Sequence, residues 1–160
     1  MTTITIADVQ QMHKLGESVA KQMRNGDIVV LSGPLGAGKT TFAQGIGRGL
    51  GINDAITSPT FVVARQHRAG TSGLGLTHVD AYRLRTADDL VDLDIDSQSA
   101  HVTLIEWGAD FVGHICDSWL TVEISRDTIG TDDAPEAGTR VVQLTGHGPD
   151  WFGRELEVGL

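Results

Sequence analysis

The stretch Gly33-Pro-Leu-Gly-Ala-Gly-Lys-Thr40 decides the fold of this chain. It fits the phosphate-binding pattern G-x-x-x-x-G-K-[ST], and it joins an apolar run of strand length, Ile28–Ser32, to the helical pattern of Thr40–Leu50. With 20 glycines in the sequence, the pattern arises by chance in roughly one of 150 such chains. A strand, a glycine-rich turn and a helix in this order predict a P-loop.

The residues of this turn have the properties that phosphate binding requires. Glycines allow the loop to curl so that successive backbone N–H groups face inward. The helix that follows adds the unpaired donors and the positive dipole of its N-terminus. We therefore expect nucleotide contacts from Gly33, Leu35, Gly36, Ala37, Gly38, Lys39, Thr40 and Thr41. Lys39 would reach the β- and γ-phosphates, the Thr40 hydroxyl would bind Mg²⁺, and Thr41 would donate toward the α-phosphate.

Two carboxylates follow apolar runs, where P-loop proteins have acidic residues near the metal ion. Asp80 ends the run Leu76–Asp80, and Glu106 ends the run Val102–Glu106. Since ligands bind at the carboxyl ends of strands in α/β sheets, both side chains are candidates for roles near Mg²⁺. Each can also be an ordinary surface residue at the end of a strand. His78 shares a strand face with Asp80, and we expect a hydrogen bond at the strand end rather than a shared metal.

The segment Thr57-Ser-Pro-Thr-Phe61 lies between the P-loop helix and the next strand. In P-loop switches, a loop at this point senses the γ-phosphate through a hydroxyl group. Thr60 is therefore a candidate for the catalytic site, together with Asp80. A simple turn at the entry to a strand is the alternative interpretation.

The rest of the chain alternates strand patterns with helical ones. Thr2–Ile6 alternates Thr and Ile as a strand does, and Asp8 suits the N-cap of an amphipathic helix that ends at Asn25-Gly-Asp27. Further strands are expected at Phe61–Gln66, Leu76–Asp80, Val102–Glu106, Leu120–Ser125 and Val141–Thr145. Thr86–Leu93 is a candidate short helix, and the polar run 129–138 is a candidate loop.

These patterns predict an α/β fold with a mixed central sheet and flanking helices. We expect a single P-loop NTPase domain over residues 1–160, with the tail after about residue 146 either docked or mobile. The helix after the P-loop has glycines at 45, 47, 49 and 51, each costing roughly 1 kcal/mol relative to alanine. Close packing on the sheet and a frayed helix end both explain them.

Composition and charge narrow the function. The net charge of −9 argues against a protein that binds nucleic acid by itself, because such affinity comes mostly from Lys and Arg. A single cysteine forms no internal disulfide, which is typical of a reducing compartment. No stretch approaches the roughly 18 apolar residues of a membrane span, and no secretory signal pattern is evident. We expect a cytoplasmic protein that makes no membrane contact.

Four segments carry a family resemblance: Gly33–Phe42, Ser58–Phe61, His78–Leu84 and Ile105–Trp107. Over about residues 5–125, the chain resembles the TsaE (YjeE) family, bacterial ATPases needed for threonylcarbamoyladenosine modification of tRNA. The resemblance implies a cytoplasmic ATPase that works with the transferase TsaD and its paralogue TsaB. It implies only an indirect interaction with tRNA. It implies ATP binding by the P-loop and Mg²⁺ ligation by Thr40 and Glu106. It also implies functional roles for Asp80 and Trp107, the latter at the nucleotide, and a base contact from Ile6–Gln10.

The leading interpretation is a slow ATPase in which water attacks the γ-phosphorus of ATP. Three other functions of P-loop proteins are alternatives. A small-molecule kinase needs a lid with phosphate-clamping arginines. Arg83 and Arg85 lie close together in sequence, yet no arginine-rich lid segment is evident. A GTPase needs a guanine-reading Asn/Thr-Lys-x-Asp motif, which the sequence lacks. A nucleotide-gated scaffold, in which hydrolysis is incidental, fits the same motifs as the ATPase.

Overall fold

The computed structural model describes residues 1–60, 63–86, 88–89, 100–126 and 138–160. The strands are β1 (Thr2–Ile6), β2 (Ile28–Ser32), β3 (Ala64–His67), β4 (Gly75–Asp80), β5 (His101–Glu106), β6 (Trp119–Arg126) and β7 (Arg140–His147). The helices are α1 (Val9–Ala20), α2 (Lys39–Gly49) and α3 (Val112–Ile115), with 3₁₀ turns at Ala81–Arg83 and Pro149–Trp151. Within these stretches, no helix combines the length and the apolar character that crossing a bilayer requires.

The strands pair into one mixed sheet in the order β1-β7-β6-β2-β5-β4-β3. At its centre, β2 runs parallel to both β6 and β5, and β4 continues the parallel part beyond β5. The pairs β1–β7, β6–β7 and β3–β4 are antiparallel. The apolar sequence of β2 follows from this position, because Val29, Val30 and Leu31 are fully buried between layers on both faces. The predicted mixed α/β architecture is confirmed.

Helices α1 and α2 pack together on one face of the sheet, over the main apolar core. Their backbones come close enough that side chains would not fit between them. A Cβ atom at Gly16 would lie 2.5 Å from the carbonyl oxygen of Phe42, and one at Gly49 would lie 2.7 Å from that of Glu17. Gly45 likewise faces the backbone of α1. Close packing therefore explains Gly45 and Gly49, although the contact is with α1 rather than with the sheet.

The opposite face of the sheet carries a smaller core. Val79 and Ile105 are buried there, and Phe111 and Ile115 of the segment around α3 pack against them. The flanking helices expected from the sequence are present, and the short helix α3 on this face was not predicted.

The C-terminal segment lies against α1 and the turn that follows it. Arg154 forms a salt bridge with Asp27, with 2.7 Å between Nη2 and Oδ2, and its guanidinium covers the ring of Trp151. Farther along, the backbone of Glu157 exchanges two hydrogen bonds with the side chain of Gln22. These contacts, with a hydrogen bond from the Ser18 hydroxyl to the Glu157 carbonyl, dock the tail on the end of α1 and the turn after it.

Observed boundaries differ from the predicted ones mainly at α1, which ends at Ala20 rather than at Asn25-Gly-Asp27, and at β3. The strand was expected from Phe61, but it begins at Ala64, and Val63 has a φ of 68°, which breaks extended structure before it. Residues 61–62 lie outside the described residues, as do most of the candidate helix Thr86–Leu93 and nearly all of the candidate loop 129–138.

The N-terminus of α1 is capped as its sequence predicts. Asp8 accepts a hydrogen bond from the Gln11 backbone N–H at 2.8 Å, and the Gln11 side chain accepts one from the Ala7 N–H at 2.8 Å. The bond to Asp8 satisfies a donor that the first helical turn leaves unpaired, and the bond from Ala7 ties the residue before the N-cap to the helix.

Replacing the cap should measurably lower stability. We expect Asp8→Ala to reduce the free energy of unfolding by about 1 kcal/mol in urea denaturation, because the Gln11 backbone N–H loses its acceptor. Asp8→Asn is the matched control, since it keeps an acceptor at the same position and should stay close to wild type. Equal unfolding midpoints for the two variants would contradict the capping role.

Candidate functional site

A cleft of about 520 Å³ opens beside the P-loop, within the size range of small-molecule sites. The residues singled out in the sequence converge on it from four parts of the chain. Those that line it are Leu35, Gly36, Ala37, Gly38, Lys39, Thr40, Thr41, Thr60, Asp80, Glu106 and Trp107. Gly33 does not line the cleft, but it begins the loop whose later residues do.

The loop curls through three glycines with positive φ. Gly33 has φ 147°, Gly36 has φ 73° and Gly38 has φ 114°, a region open to glycine and strained for other residues. Gly38 is also the N-cap of α2, and no side chain in the described residues caps this helix end. The N–H groups of its first turn are therefore available to an anion.

Lys39 is buried at the start of α2, with its ammonium group turned into the loop. Nζ donates to the carbonyl oxygens of Gly33 at 2.8 Å and Pro34 at 3.0 Å. Burial lowers the pKa of Lys39, while the negative charges of Glu106 and Asp80 act in the opposite direction and favour the charged form. The cleft thus contains a cation held close to two carboxylates.

The two carboxylates stand side by side at the ends of parallel strands. In the register of β4 with β5, Asp80 pairs with Glu106, and both side chains are buried. Asp80 accepts a hydrogen bond from the Tyr82 backbone N–H at 3.0 Å. Nε2 of His78 lies 2.8 Å from Oε1 of Glu106. His78 therefore forms a hydrogen bond near the strand end, as expected, and its partner is the carboxylate of the neighbouring strand rather than Asp80.

These side chains suit a magnesium ion. Thr40 offers a hydroxyl, and Asp80 and Glu106 offer carboxylate oxygens in the same cleft. Mg²⁺ prefers oxygen ligands and is typically held by one or two carboxylates plus the phosphates of its substrate. Among the described residues, no group of three or more His, Cys, Asp or Glu side chains forms a self-contained metal site. The donor set therefore matches a metal that arrives with a nucleotide.

Trp107 follows Glu106 in an unusual conformation. Its φ is 62°, in the left-handed region that costs a non-glycine residue about 1–2 kcal/mol. The ring meets Tyr82 edge-on at 5.4 Å between centroids, and it lies 4.4 Å from Nζ of Lys39. This backbone conformation therefore brings an aromatic face to the cation of the P-loop.

Two arginines line the cleft that were not predicted from the sequence as site residues. Arg126 and Arg140 are cross-strand neighbours on β6 and β7, and both line the cleft. Nη2 of Arg126 donates to the carbonyls of Leu35 and Gly36, each at 3.4 Å, and Nε of Arg140 donates to that of Ala37 at 3.2 Å. Each arginine stands one residue beyond a predicted strand. Pairing those two strands would have brought the arginines together at the P-loop edge.

The N-terminal segment forms an apolar part of the cleft wall. Ile6–Val9 and Met12 line it, which covers most of the segment Ile6–Gln10 expected near a nucleotide base. Met12 lies beside Gly38, since a Cβ atom on that glycine would be 3.2 Å from the Met12 methyl carbon. The cleft thus has a polar, charged part around Lys39 and an apolar part at the start of α1.

Comparisons with known proteins agree with this geometry. Residues 6–133 match the family model described as threonylcarbamoyl adenosine biosynthesis protein TsaE. A Streptomyces coelicolor protein named tRNA threonylcarbamoyladenosine biosynthesis protein TsaE is 45% identical over 149 residues, which are 92% of this chain and 98% of that protein. A Mycobacterium tuberculosis protein of the same name is 42% identical over 133 residues, 78% of this chain and 79% of its own length.

A solved structure has the same fold. The crystal structure of Bacillus subtilis YdiB superimposes with a TM-score of 0.71, covering 95% of this chain and 88% of that one, at 24% sequence identity. The P-loop NTPase fold predicted from the sequence is confirmed.

Proposed function

This chain belongs to the TsaE family of threonylcarbamoyladenosine biosynthesis proteins, and we propose that it is an Mg²⁺-dependent ATPase that supports this tRNA modification by switching a partner transferase complex. The convergence of Lys39, Asp80 and Glu106 at one cleft carries the proposal. A cation beside a phosphate-binding loop, next to two carboxylates at strand ends, is the arrangement that P-loop hydrolases use.

Binding would use the loop backbone first. The N–H groups of Gly36–Thr41 would hold phosphate oxygens, and the ammonium of Lys39 would neutralise charge on the transferred group. When bound, Mg²⁺ would be held by Thr40 and Glu106 and would supply neutralisation of phosphate charge. The apolar wall at Ile6–Val9 would cover the adenine base.

Hydrolysis requires a water molecule aligned with the γ-phosphorus. Asp80 and Thr60 are the candidates to orient it, since both line the cleft. Asp80 already accepts a hydrogen bond from the Tyr82 backbone N–H, and Thr60 is exposed. Because Thr60 is exposed and one carboxylate oxygen of Asp80 is already engaged, we expect hydrolysis by the isolated chain to be slow.

The output of such a cycle would be a change in a partner protein. With a net charge of −9, the chain is poorly suited to hold tRNA by itself. We therefore assign the tRNA contact to a TsaD-like transferase and its TsaB-like paralogue in the cytoplasm, with this ATPase docking on them. A small-molecule kinase or a nucleotide-gated scaffold is the competing assignment.

Measuring nucleotide turnover with and without the two partners tests the assignment. We expect ATP hydrolysis to accelerate at least about tenfold (about 1.4 kcal/mol) with both partners present, because docking would order the water-orienting groups. GTP serves as the matched nucleotide and should be hydrolysed more slowly under the same conditions. If the partners change neither the rate nor the ATP affinity, the switch is refuted. Partner binding that depends on ATP without any turnover would instead establish the scaffold.

A further inference from the structure

His78 is a buried polar residue in the middle of the sheet. It lies on β4, and its side chain is 0% exposed, while that of Glu106 on β5 is 4% exposed. Nε2 and the carboxylate oxygen Oε1 are 2.8 Å apart, a distance typical of a strong hydrogen bond to a charged acceptor. The two strands pair in parallel, which fixes the separation of the two side chains.

The position of His78 would suit an apolar residue better. Burying an imidazole ring costs free energy unless its nitrogens are hydrogen-bonded. Nδ1 of His78 is buried without a hydrogen-bond partner in the described part of the chain, so only one side of the ring is satisfied. The bond to Glu106 is the interaction that offsets this cost.

We propose that His78 is a positioning residue that holds Glu106 in the orientation needed to bind Mg²⁺; the inference rests on the proposed function. An ionised carboxylate can only accept, so the ring nitrogen is the donor in this bond. A glutamate side chain otherwise has three rotatable torsions. With Oε1 engaged by the ring, Oε2 is left for a ligand in the cleft.

The expected loss of metal affinity can be estimated from other proteins in which a residue that hydrogen-bonds to a metal ligand was replaced. Removing such a partner typically lowers metal affinity by about 10–100-fold. Mg²⁺ is expected to raise the nucleotide affinity of wild type. We expect this increase to be smaller by a factor of at least about ten in variants without a donor at this point. Nucleotide affinity in the absence of metal should stay within about twofold, because the P-loop backbone and Lys39 do not depend on His78.

The test uses a pair of variants that differ in reach. In His78→Gln the side-chain amide extends to about the position of Nε2 and can donate to Glu106, whereas in His78→Asn the amide falls short. His78→Leu removes the donor altogether. Thr77→Val is the control for disturbance of the strand, since Thr77 is also buried and points to the other face of the sheet.

Calorimetry on the full chain would measure the affinity of a non-hydrolysable ATP analogue with Mg²⁺ and with EDTA. Electron paramagnetic resonance of Mn²⁺ in place of Mg²⁺ would give the metal affinity directly. We expect wild type, His78→Gln and Thr77→Val to keep the metal-dependent increase, and His78→Asn and His78→Leu to lose it. If His78→Leu fails to fold, the Gln and Asn pair still decides.

Two results would overturn the inference. One is an unchanged metal-dependent increase in His78→Asn, and the other is an equal loss of affinity with and without metal, which indicates a purely structural role. Failure of the proposed function gives a different result, because wild type itself would then show no increase with Mg²⁺ or no binding of the analogue.

Discussion

Replacing Lys39 with alanine should weaken ATP binding by about a hundredfold, or about 2.7 kcal/mol. The ammonium group is buried beside the loop, and hydrogen bonds to charged groups contribute about 1.5–3 kcal/mol each. The substitution removes the positive charge that would neutralise the phosphates of ATP. It also leaves the carbonyls of Gly33 and Pro34 without the donor that now holds them.

Calorimetric titration with ATP would measure the loss. Lys14→Ala is the matched control, since Lys14 is an exposed lysine on α1 and should bind ATP as wild type does. Lys39→Ala protein that unfolds at the wild-type urea concentration but binds ATP normally would rule out the proposed nucleotide contact of Lys39.

Replacing Glu106 with alanine should separate binding from turnover. The loop backbone and Lys39 would still hold nucleotide, so ATP affinity without metal should change little. Mg²⁺-dependent hydrolysis in the presence of the partners should fall by at least about a hundredfold (about 2.7 kcal/mol), because the carboxylate that we propose as a metal ligand is gone. A reconstituted tRNA modification assay should then fail to complete repeated cycles even though the variant still docks.

Glu106→Gln sharpens this experiment. It keeps the size of the side chain and an oxygen that can accept from His78, but it removes the negative charge. We expect turnover to fall in this variant as well. Normal turnover in both Glu106 variants would move the metal role to Asp80, and Asp80→Asn would then be the variant to measure.

Local sequence signals predicted the P-loop and both carboxylates. A glycine-rich turn after an apolar run has a defined geometry, and a carboxylate at the end of a parallel strand lies at the ligand edge whichever strand is its neighbour. Lys39, Asp80 and Glu106 could therefore be assigned to one region before the strand order was known. The mixed sheet also followed from the alternation of strand and helix patterns.

Contacts that depend on strand pairing could not be predicted from local sequence patterns. The partner of His78 is set by the register of β4 with β5, and periodicity along one strand carries no information about that register. Arg126 and Arg140 meet at the P-loop only because β6 and β7 are antiparallel neighbours. The late start of β3 depends on the positive φ of Val63, which β-branched residues rarely adopt.

The close crossing of α1 and α2 has a practical consequence for anyone who wishes to make this protein more heat-resistant. Exchanging glycine for alanine in a helix is a common engineering route, worth up to about 1 kcal/mol per site. At Gly16 and Gly49 that exchange would drive a methyl group into the backbone of the opposite helix, so the helices would have to separate. Separation would pull Met12 on α1 away from Gly38 at the start of α2, and the cleft would widen between them. Thermostabilising libraries should therefore leave the crossing glycines unchanged and target positions away from it.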